Sequence, residues 1–487
     1  MKKVTIIGAG LSGLYAACYL AKQGVQVEVF EKNESEGGRS RVFTADGFTF
    51  DMGPSWYWMP ELIDQLFEDL GEKRTDYFSL KRLDPSYKVF WNDQAPTEIP
   101  ADLNELYTLF DSFEENGGKK LAAFLAAAQE KYQIAIPDFL EKPGLKWGEI
   151  INYSVLKKAL KLDVLKSVDK DVKNRFTSVK AQGILNFPVL FLGEMPNRIP
   201  SLYTLMNYAD MGLGTWYPEG GMGQLAKSLR KIAEKHGAKF HFNSPVSEFN
   251  CNYGKVNGIV VNGKTISVET IIAGADYNYV EQNLVPKAYR RYSKDYWDQR
   301  SLAPSCLIFY LGIKKEIPGI DHHNLFFDED LIAHGKTIYD HPQWPDKPLF
   351  YACAPSKTDD NVAPQGAENL FLLMPVAPDL EDTQEMRDHY FNVILSRMEK
   401  HTGVSIKEHV TYRRDFCIND FKEDYNSFKG NAYGLANTLR QTANLKPKIT
   451  SKLSNLFYCG QLTVPGPGVP PALISGKIVA KHLTTTL

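Results

Sequence analysis

The first forty residues constrain the fold more than any other stretch. Val4-Thr5-Ile6-Ile7 is an apolar run, Gly8-Ala9-Gly10-Leu11-Ser12-Gly13 has the spacing G-x-G-x-x-G, and Val27-Glu28-Val29-Phe30-Glu31-Lys32 is a second apolar run ending in an acid. With a helix from Leu14 to Gln23 between them, these segments make one βαβ unit. Gly8 permits the tight turn that runs on through Leu11 and Ser12, and Gly10 lacks a Cβ, so backbone can approach a pyrophosphate at the positive N-terminus of the helix, where free N–H groups point at the anion. Gly13 lets helix and strand close up. Glu31 lies eighteen residues beyond Gly13, at the end of the second strand, where a carboxylate accepts hydrogen bonds from ribose hydroxyls and disfavours a 2′-phosphate. The spacing alone is common by chance in loops. Here it follows a strand, opens a helix and has its acid in place, so a dinucleotide site is expected. Past Lys32, Gly37-Gly38-Arg39-Ser40 adds a second glycine turn and a guanidinium, donors that suit FAD better than a nicotinamide cofactor.

At 487 residues the chain is too long for one core, and two or three domains are expected. A net charge of -2 gives no basic field, so nucleic acid is not an expected partner. Six cysteines lie far apart with no C-x-x-C pair and read as reduced thiols of a cytoplasmic protein. The first strand begins at once, so no leader is expected. No apolar run of about eighteen residues exists, so any membrane contact is expected to be peripheral.

Along the chain, Val42-Phe43 and Phe48 to Asp51 flank Asp46-Gly47 as a hairpin. It leads into Gly53-Pro54-Ser55, a tight backbone feature expected close to the cofactor, and Trp56-Tyr57-Trp58, which either pack or line a substrate. Pro60 to Leu70 reads as a structural helix and residues 86 to 100 as strands of a substrate-facing domain. Residues 101 to 180 read as helical. Within them, from Val155 to Lys180, Leu156, Leu160, Val164, Val168, Val172 and Phe176 recur every four residues among lysines, a pattern of an ordinary solvated helix or of one lying on an anionic membrane surface. The neighbouring apolar run Ile184 to Gly193, broken by Pro188, is expected to form a greasy entrance or interfacial patch.

The glycine-rich loop Gly212 to Gly223 predicts close backbone approach to something flat or a domain crossover, before a helix from Gln224 to His236. Ser244-Pro245-Val246 is either a plain strand start or a place where Val246 lies against an adenine. Glu269 to Asp276, with Gly274, returns the chain to the nucleotide lobe. Residues 286 to 445 mix strands at Leu307–Gly312, Asn369–Val376 and Val410–Asp415 with a helix from Glu381 to His401. The close is a strand ending in Cys459-Gly460-Gln461, a Gly/Pro turn Pro465-Gly466-Pro467-Gly468-Val469-Pro470-Pro471, and a helix to His482 whose N-terminus faces the turn and suits the flavin pyrophosphate or ring edge.

The combination of GAGLSG, EKNESEGGRS, FDMGPSW, WYPEGGMGQL and LFYCGQLTVPGPGVPPALISG resembles the bacterial phytoene desaturase family, FAD-dependent carotenoid desaturases of the amine oxidase and protoporphyrinogen oxidase superfamily, over nearly the full length. The motifs match at Gly8, Gly10, Gly13, Glu31, Gly38, Arg39, Gly53, Val246, Gly460, Gly468 and Val469. They depart at Gln461 to Val464, where a glycine and histidine pair often stands, and at Pro471. The resemblance implies an α/β fold: a glutathione-reductase-type FAD-binding Rossmann domain, a mixed-sheet α+β substrate domain and a helical membrane-associating region. The corresponding divisions are 1–85, 211–285 and 446–487 for FAD, 86–145 and 286–445 for substrate, and 146–210 for the membrane part.

The implied chemistry is desaturation of a long apolar polyene, of phytoene type or at a 3,4-bond, with a hydride passing to flavin N5 and the neighbouring proton to a base or water. No metal is expected, since His322-His323 lacks a ligand pattern. Asp51, Glu194, Asp210 and Glu219 lie near relevant motifs but read as solvated or structural acids. No second nucleotide motif is present for a nicotinamide, so oxygen or a membrane quinone is expected as acceptor. A redox-neutral carotene isomerase and a non-catalytic lipid-binding carrier are the alternatives.

Overall fold

The computed structural model describes residues 2–145, 166–438 and 441–486. One sheet is wholly parallel, with strands in the order Leu456–Tyr458, Thr270–Ala273, Lys3–Ile7, Gln26–Phe30 and Lys239–His241. Both faces of such a sheet are covered by crossovers, which is why its strands read as unbroken apolar runs rather than alternating ones. The helix Leu11–Lys22 starts directly after the extended Gly10, three residues earlier than the sequence suggests. Gly13 therefore sits in its first turn, where a Cβ would overlap the Gly8 carbonyl oxygen. The C-terminal helix Val469–Thr486 packs along this helix, and Gly476 allows the crossing because a Cβ there would overlap the Ser12 carbonyl oxygen. Leu14, Leu20, Leu225, Leu229, Ile474 and Ile478 fill the core that results.

The second large sheet has seven strands, ordered Val410–Phe416, Ser305–Ile313, Glu368–Val376, Phe350–Cys353, His323–Phe327, Tyr87–Trp91 and Gln94–Ile99. All neighbours are antiparallel except His323–Phe327 with Tyr87–Trp91. Ser305–Ile313 is buried throughout. Its alternation is strict: Leu307, Phe309, Leu311 and Ile313 face the helix Gln384–Thr402 through Phe391, Ile394 and Leu395, while Cys306, Ile308 and Tyr310 face the opposite core. Each such aliphatic or aromatic side chain removed from water contributes about 1.5–3 kcal/mol.

Residues 155–165 of the basic segment lie outside the described residues. In its described remainder the four-residue spacing is a core face, with Val168, Val172 and Phe176 fully buried. Of its cations, Lys166 and Arg175 pair with Asp171 and Lys173 with Asp169 inside the segment. The run expected as an entrance patch is also interior. It forms a helix Val179–Asn186 and a short 3₁₀ turn Phe187–Leu192, with Ile184, Leu185, Phe187 and Val189 buried. No helix among the described residues is long and apolar enough to cross a membrane. In the glycine-rich loop the flat neighbours are side chains of the protein itself: the Tyr208 ring against Gly212 and the Arg82 guanidinium against Gly214.

Candidate active site

A cavity of about 770 Å³ lies where the parallel sheet, the seven-stranded sheet and the helical segment meet. Its glycine-rich end is built from five separate stretches. Gly8, Gly10, Leu11 and Ser12 come from the first turn, Glu31, Lys32, Gly38, Arg39 and Ser40 from the end of the second strand, Val246 and Gly274 from the middle of the chain, and Gly460, Gly468, Val469 and Pro470 from its end. Gly53, Pro54 and Ser55 continue the wall. Every expected cofactor residue lines this space except Gly13, whose role is the helix–strand contact described above.

The local geometry explains how these residues are held. Phe30 O accepts from the Gly8 N–H at 2.8 Å, and Ala9 O from the Gly37 N–H at 2.8 Å, which ties the two glycine turns together. The Glu31 carboxylate accepts from the Ala9 N–H at 2.7 Å and the Asn33 N–H at 2.9 Å, so the acid braces the turn as well as facing the cavity. Arg39 donates to Ser427 Oγ at 3.0 Å and to Asn431 O at 3.3 Å and lies over the Tyr425 ring. Its Nε is buried without a partner among the described residues. Two helix N-termini also end at this wall, one capped by Gly10, which has no side chain to satisfy the first N–H groups, and one by Gly468. An unpartnered guanidinium donor beside the positive helix end at Gly10 suits an anion, and the pyrophosphate of FAD fits that donor set, while the end at Gly468 suits the same group or the ring edge.

The other end of the cavity is apolar, walled by Trp56, Trp58, Phe187, Leu190, Leu205, Met206, Ile308, Leu325, Phe327 and Leu373. Trp56 stacks on His323 with centroids 3.9 Å apart. Trp58 Nε1 donates to Thr215 Oγ1 at 2.8 Å, Thr215 Oγ1 to Asp210 at 3.2 Å, and the Tyr87 hydroxyl to Asp210 at 2.9 Å. Burial pushes the Asp210 carboxyl up to about 7, partly offset by these hydrogen bonds. Trp56 and Trp58 both line the space and pack.

None of the four acids singled out from sequence lines the cavity. Asp51 accepts from the Met222 and Gly223 N–H groups, and burial raises its carboxyl to about 6. Asp210 holds the aromatic wall, Glu194 accepts from the Met195 N–H at 2.9 Å, and Glu219 is exposed. The acids that do line it are Glu31, Asp276 and Asp424.

Several lining residues carry no motif, among them Tyr351, Asn437 and Tyr425. Tyr351 donates to Ser55 Oγ at 3.0 Å and shares a 2.6 Å hydrogen bond with His323 Nδ1. Burial holds His323 far below its ordinary pKa, so its ring is neutral. Donor atoms of His322, His323 and Cys353 come within 4.8 Å of one another, a grouping that spacing along the chain could not reveal because Cys353 arrives on the neighbouring strand. At present His322 Nδ1 bonds to Thr358 Oγ1, and burial pushes the Cys353 thiol up to about 12.

The flavin containing amine oxidoreductase family matches residues 11–484. A carotenoid 3,4-desaturase of Haloarcula japonica is 37% identical, covering 99% of this chain and 97% of its own length. A 4,4'-diapophytoene desaturase of Staphylococcus haemolyticus is 32% identical, covering 99% and 98%, and a zeta-carotene-forming phytoene desaturase of Myxococcus xanthus is 29% identical, covering 99% and 94%. Among solved structures, an oxidoreductase from Methanosarcina mazei superposes with a TM-score of 0.67 at 16% identity, covering 99% and 100%. Putrescine oxidase superposes with 0.63 at 16%, covering 99% of both chains, and at such identities the likeness is one of fold. By sequence over essentially its whole length, the chain belongs to the flavin containing amine oxidoreductases, in their carotenoid desaturase branch.

Proposed function

We propose that this protein is an FAD-dependent desaturase that dehydrogenates an acyclic or monocyclic carotene, at a 3,4-bond or in a phytoene-type chain. The observation that carries the reading is a single cavity with glycine turns and helix N-termini at one end and an aromatic and aliphatic gallery at the other. The parallel sheet serves as the FAD-binding Rossmann lobe and the seven-stranded sheet as the substrate lobe, with the divisions expected from sequence.

When bound, FAD supplies a two-electron acceptor for the hydride of the C–H bond being broken. Arg39 and the N–H groups of Leu11 and Ser12 would hold its pyrophosphate, Glu31 would meet its ribose, and Val246 would face its adenine. Trp56, Trp58 and Phe187 exclude water from the polyene and fix its course. The neighbouring proton leaves to water or a neutral side chain, because no carboxylate among the described residues lines the apolar end. Electrons pass on to oxygen or a membrane quinone. The polyene enters from a membrane that the protein contacts peripherally from the cytoplasm.

Expression in cells accumulating phytoene, diapophytoene or a carotene with saturated 3,4-bonds, followed by chromatography of the pigments, tests the assignment. One strain is expected to yield a product two hydrogens lighter per step. Unchanged pigments in all strains, with the protein present and flavin-loaded, would overturn it.

A further inference from the structure

We infer that Lys446 supplies the positive charge that stabilises reduced, anionic FAD, acting from behind the turn Pro465 to Gly468. The inference rests on the FAD site above and goes beyond it to how that site sets the cofactor's redox poise. Lys446 is 2% exposed and its Nζ donates to Asn437 Oδ1 at 3.1 Å. No carboxylate among the described residues pairs with it. The other buried lysines all meet one: Lys88 has Asp321 and Glu98, Lys131 has Asp171, and Lys477 has Asp69 and Glu141. An ammonium taken out of water without an opposite charge is costly and drifts toward neutrality, and burial alone lowers this one to about 8. A counter-charge that arrives with a ligand removes that cost.

The position identifies the ligand. A Cβ at Gly466 would lie 3.1 Å from the Lys446 Nζ, so the absent side chain is what lets the ammonium reach the back of the turn. On the front of the same turn Pro465, Pro467 and Gly468 line the cavity, as does Asn437. FAD carries negative charge in two places: its pyrophosphate, in either redox state, and its ring system after reduction. The pyrophosphate already has Arg39 and the helix end at Gly10, which belong to the opposite terminus of the chain. A cation behind the C-terminal turn is placed for charge that appears on reduction, and it raises the midpoint potential by stabilising that form.

The test uses the full-length flavoprotein carrying Lys446→Met, Lys446→Gln and Lys446→Arg. The midpoint potential is read by spectroelectrochemical titration and the affinity for oxidised FAD by reconstitution of stripped protein. Both neutral variants should bind reduced FAD at least tenfold more weakly relative to oxidised FAD. That is a fall of about 30 mV per tenfold for a two-electron couple. Affinity for oxidised FAD should hold, and the arginine variant should stay near wild type. Glutamine keeps a polar head for Asn437, so a methionine variant that fails to fold leaves the measurement intact. An unchanged potential in the neutral variants overturns the inference. Equal weakening of both redox forms also overturns it and assigns Lys446 to the pyrophosphate instead. Wild-type protein that takes up no FAD overturns the cofactor reading itself, which the same titration reports separately.

Discussion

Arg39, half-buried, and Asp210, buried, do opposite work. Arg39 donates from its terminal nitrogen to Ser427 and Asn431 and keeps Nε free, so truncating it removes charge from an anion site without stripping the fold of a salt bridge. Arg39→Met should weaken FAD binding by about 1.5–3 kcal/mol, the range for a hydrogen bond to a charged group, read as an about 10- to 150-fold higher Kd on reconstitution. Asp210 does not line the cavity and sits under the aromatic wall, its carboxyl raised from 3.8 to about 7 by burial. A carboxyl raised on folding contributes stability that is fully present below its unfolded pKa and is lost as pH rises through its folded one. Unfolding free energy should therefore fall between pH 4 and 7 by up to about 1.4 kcal/mol per unit on this account. Asp210→Asn should lack that fall, measured as the difference between the two proteins in urea melts across the window. Asp51 and Asp276, also raised by burial to about 6, titrate in both proteins and cancel in the difference. Parallel curves would show that the Asp210 carboxyl titrates alike in the folded and unfolded chain, so that burial does not raise it.

At the scale of elements, the nucleotide end depends on how closely two helices and one turn approach. The helix Leu11–Lys22 meets the Gly8 turn at Gly13 and the helix Val469–Thr486 at Gly476, and neither contact has room for a methyl group. Gly476→Val should force the helices apart and destabilise the protein by about 1–3 kcal/mol. It should also loosen FAD, because both helix N-termini line the cavity. A fall in the melting temperature together with flavin loss on gel filtration is the expected outcome, and a variant that melts lower but keeps its flavin would separate the two roles. These elements were legible in the sequence for a physical reason. A glycine turn, a helix start and an acid at the strand end are local requirements, met within one βαβ unit. The C-terminal turn was legible on the same ground. The basic segment was not, because four-residue apolar spacing is the same for a membrane face and a core face. Only the burial of Val168, Val172 and Phe176 and the pairing of Lys166 and Arg175 with Asp171 separate them in the described part.

For the whole molecule, the cavity is a product of long-range strand pairing, and that is where sequence reading runs out. Tyr351 reaches Ser55 because Phe350–Cys353 pairs with His323–Phe327 on one side and Glu368–Val376 on the other, a register no local pattern encodes. The same assembly makes cofactor and substrate regions separable. Leu205 and Met206 come from the helical segment, share no element with the glycine turns, and line the apolar end. Leu205 is 7% exposed, so a larger side chain there is accommodated by filling the gallery or by straining the core. Overpacking of this kind costs about 1–3 kcal/mol, which a melting curve reports. Leu205→Trp should keep wild-type flavin content and absorbance while pigment conversion falls at least tenfold, about 1.4 kcal/mol in transition-state terms. Lost flavin together with lost conversion would mean the two ends are one mechanical unit. Unchanged conversion with an intact fold would mean that the polyene takes another path past the cofactor end, and the gallery would then have no claim on the substrate.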